Sequence, residues 1–439
     1  MDLKALNRRT ERALKTAATD EDAKAAILGF VEGFHDGHLR AAAPLEASAG
    51  SAAALPKPDY ASLSPAEGAA ALGYAPISGV AFSLPFEALA GCRLESDGLA
   101  RTFRASISAS PGGMRYGLVR IPRFREQDGP PQECLREWSD QLKSGHGIDV
   151  TALRSKVSQT WFRTLADQLR RFKEEGVAAV LVDLGGNGGG NDSGDWAARL
   201  FTPREVHSAP LLLSAAPAAK AYFDEQLGGL RKALREQPQA SAETRARIEL
   251  AIGAFERRKI QAELRSWDLS WVWQERRPWN PTGSGRLVEA GFASGQFDYL
   301  PLSTPGDREA LTSAYWAATV DSFRGAWDGP VYVLTDGRTA SAAEMFAAVM
   351  RDNRIGKIVG TATLGAGAGF MLDEPPIELP HSHLRFQMPN CVRLRSDGSN
   401  EVSGIQPDLP VLPRQGENSR GRAARVLEAM DADLQRPKP

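Results

Sequence analysis

The chain has 439 residues, of which 42% are hydrophobic and 24% charged, and its formal net charge is −1. This length allows a large core, and the composition is typical of a globular protein. The balanced charge gives no reason to expect nucleic acid or an anionic membrane as a partner. Cys92, Cys134 and Cys391 are far apart and odd in number, which argues against a disulfide scaffold and a zinc site. No metal and no organic cofactor are expected.

No run of apolar residues is long enough to span a membrane, since a spanning helix needs about 20 of them. The N-terminal segment Met1–Arg9 lacks the apolar core of a secretory signal. The chain as it stands is therefore expected in the cytoplasm, and in an exported form only if a leader was removed. The sequence leaves the oligomeric state open.

Residues 1–40 are predicted to form an N-terminal helical region that ends near Gly33. Thr19 and Asp22 have the spacing of a capping box ahead of a helix, and His35 and His38 follow that helix. Residues 41–113 are expected to be a linker and a small β region. Their first part is rich in Ala, Pro, Ser and Gly with little periodicity, and short apolar runs follow it.

The next part of the chain, 114–202, is predicted to alternate strands and helices. A strand near 114–121 precedes a helix whose apolar residues recur every three or four positions between 150 and 172. Gly176 ends this helix, and the apolar run 177–183 is typical of a buried parallel strand. The order predicts an α/β sheet, whose alternation resumes in 328–415, and a C-terminal helix and tail in 416–439.

Residues 203–327 interrupt this alternation with a charged, helical pattern followed by the tryptophan-rich segment 267–279. One interpretation is an inserted helical hairpin whose tryptophans pack against the rest of the protein. The other is a lid whose aromatic side chains face a substrate. The sequence leaves both open.

Two glycine-bearing segments contain the candidate catalytic groups. In 180–190 an apolar strand ends in glycines whose backbone N–H groups are free to face an oxyanion. In 331–346 Ser341 stands where a helix should begin, beside unpaired N–H groups and the positive end of the helix dipole. This combination is expected of an acyl-transfer hydrolase. The competing interpretation is that Ser341 only caps the helix.

Three motifs together resemble peptidase family S41, which includes the C-terminal (tail-specific) processing proteases and the tricorn core protease. They are Asp183–Gly190, Thr339–Glu344 followed by Asp352, and Glu401–Leu409. The resemblance implies an α/β fold with a ClpP/crotonase-like core of β-β-α units, an N-terminal helical region and a helical insertion. It also implies that Ser341 is the nucleophile and that Gly189, Gly190 and the N–H of Ala342 form the oxyanion hole. Glu344 and Asp352 are expected to fix the helix rather than to do chemistry.

The sequence departs from the processing proteases at the general base. Those proteases carry a lysine in a Phe-Gly-Lys-Gly turn, whereas this chain has Leu364-Gly-Ala-Gly367, and Ala366 cannot accept a proton. Lys357, at a strand start, is a poor substitute. The tricorn-like branch instead uses an N-terminal histidine and a glutamate near the far end of the chain, and His38 and Glu401 match those positions.

Each of these assignments has a competing interpretation. His35 competes with His38 as the base, His38 could be a surface histidine, and Glu401 could be a solvated turn residue. His381 and His383 could contribute to a metal site, but no third ligand stands at a recognisable spacing. Residues 39–113 show no clear carboxylate-binding loop, so a PDZ domain is predicted to be absent or degenerate.

The resemblance implies a serine peptidase that acts on peptides or unfolded proteins. The main alternative is a non-catalytic S41-like protein that binds apolar small molecules, which the missing lysine and the tryptophan-rich segment would suit. A crotonase-type acyl-CoA enzyme is a third possibility, but the Ser341 motif is not expected there.

Overall fold

The structure, a computed structural model, describes residues 2–43, 59–74, 80–128, 132–145, 147–215, 217–236, 238–264, 287–300, 307, 311–312, 314–366, 368–372 and 374–436. The α-helices in these ranges are α1 Leu3–Thr16, α2 Asp20–Glu32, α3 Pro65–Ala71, α4 Gln132–Ser144, α5 Val150–Glu174, α6 Ser193–Trp196, α7 Pro217–Glu236, α8 Ala242–Leu264, α9 Ala342–Asp352 and α10 Ser419–Leu434. The strands are β1 Arg40–Ala42, β2 Arg93–Asp97, β3 Arg104–Ala109, β4 Arg115–Arg120, β5 Ala179–Asp183, β6 Pro210–Ser214, β7 Leu287–Phe292, β8 Val331–Thr335, β9 Lys357–Gly360, β10 Ala368–Gly369, β11 Ile377–Glu378, β12 Arg385–Gln387, β13 Cys391–Arg393 and β14 Leu409–Pro410.

A seven-stranded sheet with the order β14-β9-β8-β5-β4-β3-β2 forms the centre of the fold. Strands β4, β5, β8, β9 and β14 run parallel, and β2 and β3 extend one edge in antiparallel pairing. All five residues of β5 and all five of β8 are buried, as expected of parallel strands covered on both faces. Because the carboxyl ends of parallel strands meet at one edge, the loops after β5 and β8 are neighbours.

Side chains of alternate residues point to opposite faces of this sheet. Val180 and Val182 lie in a core cluster with α5 and α9. Leu181, between them, lies in a second cluster with α10 on the other face. The central sheet is thus held between helices, and α9, which follows β8 directly, is buried over most of its length.

A second sheet, ordered β10-β13-β6-β7, connects the segment 203–327 to the rest of the fold. The α7–α8 hairpin packs on β6, β7 and Cys391 of β13 in one apolar cluster. The expected helical insertion is therefore confirmed, and it also contributes two strands. The tryptophan-rich segment 267–279 lies outside the described residues.

The N-terminal helices reach the same region through a short strand. Thr19 and Asp22 form the predicted capping box of α2. After this helix, β1 pairs with β12 in a three-stranded sheet with the order β1-β12-β11. The pairing holds the segment around His38 beside the C-terminal half of the chain.

The expected α/β class, with an N-terminal helical region and a helical insertion, is confirmed. Helix α3 was not expected in residues 41–73. Its signal was in the sequence, because Ser64 and Glu67 form a capping box and Pro65 occupies the first turn. In the described part of the chain, no helix has the length and apolar character needed to cross a membrane.

Candidate active site

Ser341 stands at the turn between β8 and α9, and its backbone is strained. Its φ of 52° and ψ of −121° place a non-glycine residue in a sparsely populated conformation. Such a conformation costs on the order of 1–3 kcal/mol and persists only where the surroundings enforce it. The strain is therefore an observation that points to function at this turn.

Glu344 ties this turn to the loop that follows β9. Its buried carboxylate accepts hydrogen bonds from Ser341 N at 3.0 Å and Ala366 N at 2.9 Å, both on Oε2. The other oxygen accepts from Thr363 Oγ1 at 2.5 Å and Gly365 N at 2.7 Å. Burial raises the pKa of Glu344, although these hydrogen bonds oppose the shift. The expected structural role of Glu344 is what these contacts describe.

The glycine loop after β5 packs directly on Ser341. A Cβ added to Gly189 would lie 2.6 Å from Ser341 Cβ and 3.0 Å from Ala342 N, so only glycine fits there. Asn187 shapes the loop, because its Nδ2 donates to Ile121 O and its backbone carbonyl accepts from Ala340 N. The two glycine-bearing segments of the sequence are thus in contact.

Two of the three expected oxyanion-hole donors remain available. Gly189 N donates to Asn187 Oδ1 at 2.8 Å, so its N–H group already has an acceptor inside the loop. The absence of a side chain at Gly189 allows the close approach to Ser341. Among the described residues, the N–H groups of Gly190 and Ala342 have no hydrogen-bond acceptor.

His38 lies against the loop that contains Ala366. Its ring meets the ring of Phe370 edge-on, with centroids 5.5 Å apart, and the adjacent Gly37 approaches the side chain of Leu364. Nδ1 of His38 is buried and has no hydrogen-bond partner among the described residues, since Asp36 Oδ1 is 3.6 Å away. Asp36 Oδ1 instead accepts from the backbone N–H of His38. His35, the competing base, is exposed.

Glu401 is buried, and its partner is an arginine. Its Oε2 accepts a hydrogen bond from Arg393 Nη2 at 2.5 Å, whereas Oε1 is buried without a partner among the described residues. The same Arg393 Nη2 donates to Ser341 O at 3.1 Å. No hydrogen bond joins Glu401 to the His38 ring. Glu401 is therefore not a solvated turn residue, and it is connected to Ser341 through Arg393.

Sequence reasoning missed two charged groups here. Arg393 is almost fully buried on β13, and the alternation of Cys391, Arg393 and Arg395 gave no indication of its partners. Asp192 follows the glycine loop, and burial, with a smaller contribution from Asp195, raises its pKa from 3.8 to about 6. The site thus brings together side chains that are far apart in sequence.

The remaining candidates lie outside this cluster. Asp352, at the end of α9, binds Arg395, whose Nε donates to Asp352 Oδ2 at 2.9 Å. Lys357 Nζ donates to Asp433 Oδ1 at 2.7 Å, so this lysine is engaged with α10. His383 pairs with Glu378 on the surface. In the ranges that the structure describes, no group of three or more His, Cys, Asp or Glu side chains could hold a metal ion.

Comparison with known proteins finds a family whose model matches part of the chain. Residues 276–411, which include Ser341, Arg393 and Glu401, match the model of peptidase family S41. A tail-specific protease from Haemophilus influenzae is 30% identical over 139 residues, which are 29% of this chain and 19% of that protease. The match therefore spans about a fifth of the length of that relative.

The solved structures that match this chain share little sequence with it. Mature CPAF complexed with lactacystin has a TM-score of 0.48 and 17% identity over 81% of this chain and 59% of its own. The photosystem II D1 C-terminal processing protease has a TM-score of 0.35 and 12% identity over 97% of this chain and 91% of its own. Similarity to peptidase family S41 is shown for residues 276–411, which are less than half of the chain.

Proposed function

We propose that this chain is a serine peptidase that hydrolyses peptide bonds in unfolded proteins or peptides. The observation that carries the proposal is the strained backbone of Ser341 at the start of α9, with the glycine loop packed on its Cβ. A nucleophile in a sharp strand-to-helix turn is exposed to a substrate and stands beside backbone N–H donors. The family match and the tail-specific protease relative support a peptidase.

In the proposed reaction, Ser341 Oγ attacks the scissile carbonyl while His38 takes the Oγ proton. The N–H groups of Gly190 and Ala342 stabilise the oxyanion. His38 then gives the proton to the leaving amine, which departs and leaves an acyl group on Ser341. A water molecule activated by His38 hydrolyses this ester and restores the free serine. No step requires a metal or an organic cofactor.

The orienting carboxylate in this proposal is Glu401. Its Oε1 and the Nδ1 of His38 are both buried and without a partner among the described residues. Hydrogen bonds of catalytic groups are often long in a free enzyme and shorten when the substrate binds. A movement of the His38 segment that brought Nδ1 to Glu401 Oε1 would satisfy both atoms, whereas separation leaves two unpaired polar groups.

The experiment is hydrolysis of unfolded casein and of fluorogenic peptides by the purified protein and by Ser341→Ala. We expect hydrolysis by the wild type and none by the variant. The free energy of unfolding should change by no more than about 1 kcal/mol, the cost of losing a helix cap. Hydrolysis that persists in Ser341→Ala would show that the nucleophile is another residue.

A further inference from the structure

Arg393 has an unusual position for an arginine, because it is almost fully buried between two elements of the candidate site. One nitrogen, Nη2, donates both to Ser341 O at 3.1 Å and to Glu401 Oε2 at 2.5 Å. The side chain is 8% exposed and that of Glu401 is fully buried. A single guanidinium therefore connects the backbone of the candidate nucleophile to the candidate orienting carboxylate.

Arg393 binds the backbone carbonyl of Ser341, whose backbone conformation is strained. Ser341 O also accepts the first backbone hydrogen bond of α9, from Met345 N at 2.9 Å. The carbonyl is thus held by the helix on one side and by Arg393 on the other. Since φ and ψ of Ser341 lie outside the common regions, a fixed carbonyl helps to hold the direction of Oγ.

The contact with Glu401 leaves one carboxylate oxygen open. Arg393 occupies Oε2, so that Oε1 is the oxygen left for a further donor. A buried guanidinium that loses its partner carries a large desolvation penalty, so Glu401 is expected to keep this pair throughout the reaction. Oε1 is then the only oxygen of Glu401 that is available to accept a hydrogen bond from His38 Nδ1.

We propose that Arg393 is a positioning residue for hydrolysis at Ser341, an inference that rests on the proposed function. It fixes the Ser341 carbonyl and Glu401 Oε2 at the same time, and so sets the distance between the nucleophile and the carboxylate that orients His38. Arg393 touches no reacting atom. Its effect is on the geometry of groups that do.

Arg395 offers a matched control two residues later. It binds Asp352 through Nε and Nη2, and its side chain is 12% exposed, close to the 8% of Arg393. Its partner lies at the far end of α9, and none of its hydrogen bonds in the described part of the chain involves Ser341 or Glu401. Loss of either arginine removes one largely buried ion pair, but of the two only Arg393 is hydrogen-bonded to Ser341 and Glu401.

The experiment compares Arg393→Met, Arg393→Lys and Arg395→Met with the wild type. For each protein we would measure the thermal midpoint and the rate at which a fluorophosphonate labels Ser341. We expect comparable losses of midpoint in the two methionine variants. Labelling should slow by about 100-fold in Arg393→Met, the scale of a small misplacement of a catalytic group, and by less than about threefold in Arg395→Met.

Two further measurements separate positioning from stability. Added guanidinium chloride, at concentrations well below those that unfold the protein, should partly restore labelling of Arg393→Met and leave Arg395→Met unchanged. Arg393→Lys keeps the charge but loses the forked geometry, so it should fold like the wild type and still label slowly. It keeps the test valid if Arg393→Met does not fold.

The outcomes are distinguishable. Equal labelling rates in the folded arginine variants and the wild type would overturn the role of Arg393 while leaving the peptidase proposal in place. A wild type that does not react with the probe would overturn the proposed function, and the role of Arg393 with it. Slow labelling without any rescue by guanidinium would mean that Arg393 only stabilises the fold, through its ion pair with Glu401.

Discussion

Ser341 and Ala366 donate their backbone N–H groups to the same oxygen, Glu344 Oε2, at 3.0 and 2.9 Å. Ala366, where the sequence departs from the processing proteases that it resembles, therefore lies near the candidate nucleophile. Ala366 itself has no group that can accept a proton. This relationship defines the first prediction.

Ala366→Lys should not raise peptidase activity, because the proposed base is His38. Ala366 is 3% exposed, and a lysine there would be buried beside the Glu344 carboxylate. Burial of the ammonium should lower the free energy of unfolding, since desolvation of a charge costs several kcal/mol before pairing. Ala366→Met is the control for size without charge. Peptide hydrolysis faster than wild type in Ala366→Lys alone would mean that the loop accepts a lysine base.

Gly189→Ala should abolish labelling of Ser341 by a fluorophosphonate. The added Cβ would lie 2.6 Å from Ser341 Cβ, and a φ of +109° is unfavourable for alanine. Gly188→Ala is the matched control, since no atom lies within 4 Å of a Cβ added there. Its labelling rate should stay within about threefold of wild type. Equal loss in the two variants would mean that the whole loop, rather than its contact with Ser341, matters.

Activity should fall at acid pH once the proposed general base is protonated, because a protonated base cannot take the Ser341 Oγ proton. His38→Ala should lose activity at all pH values. His35→Ala changes an exposed residue three positions earlier. This variant should keep both the rate of the wild type and its fall at acid pH. The measurement is the pH dependence of kcat/KM. Full activity in His38→Ala, or a rate that still rises through about pH 9, would point to another base.

Asp192 should make the protein less stable as the pH rises. Its pKa in the folded protein is raised from 3.8 to about 6, mainly by burial. The protonated form is thus favoured by folding, and this contribution is fully present below pH 3.8 and lost as the pH rises through about 6. Asp192→Asn mimics the protonated form. We would measure the free energy of unfolding of Asp192→Asn and wild type by urea titration at pH 4 and at pH 8. The difference between the two proteins should shift in favour of the variant by about 2 kcal/mol from pH 4 to pH 8. No pH dependence of this difference would contradict the shift.

The parts of this fold that were predictable from sequence rest on local patterns. The apolar run of β5, the three-to-four residue spacing of α5 and the position of Ser341 at the start of α9 all follow from neighbouring residues. Family motifs added His38 and Glu401 as candidate site residues, and their roles stay a prediction. The contact between the two glycine-bearing segments was also predictable, because adjacent parallel strands end at the same edge.

The parts that were not predictable depend on contacts between distant residues. Arg393 and Glu401 form a pair only because β13 joins the second sheet and returns the chain to Ser341. The family resemblance implied Gly189 as an oxyanion donor, but its N–H group donates to Asn187 Oδ1 in this structure. The raised pKa of Asp192 likewise arises from burial that the sequence does not show.

The central claim is that Ser341 is an activated nucleophile. The most direct measurement is to treat the purified protein with a fluorophosphonate and to locate the adduct by peptide mass spectrometry, with Ser341→Ala and heat-unfolded protein as controls. We predict one adduct, on Ser341, that forms only in the folded wild type. A folded protein that carries no adduct, or carries it on a different serine, would contradict this account.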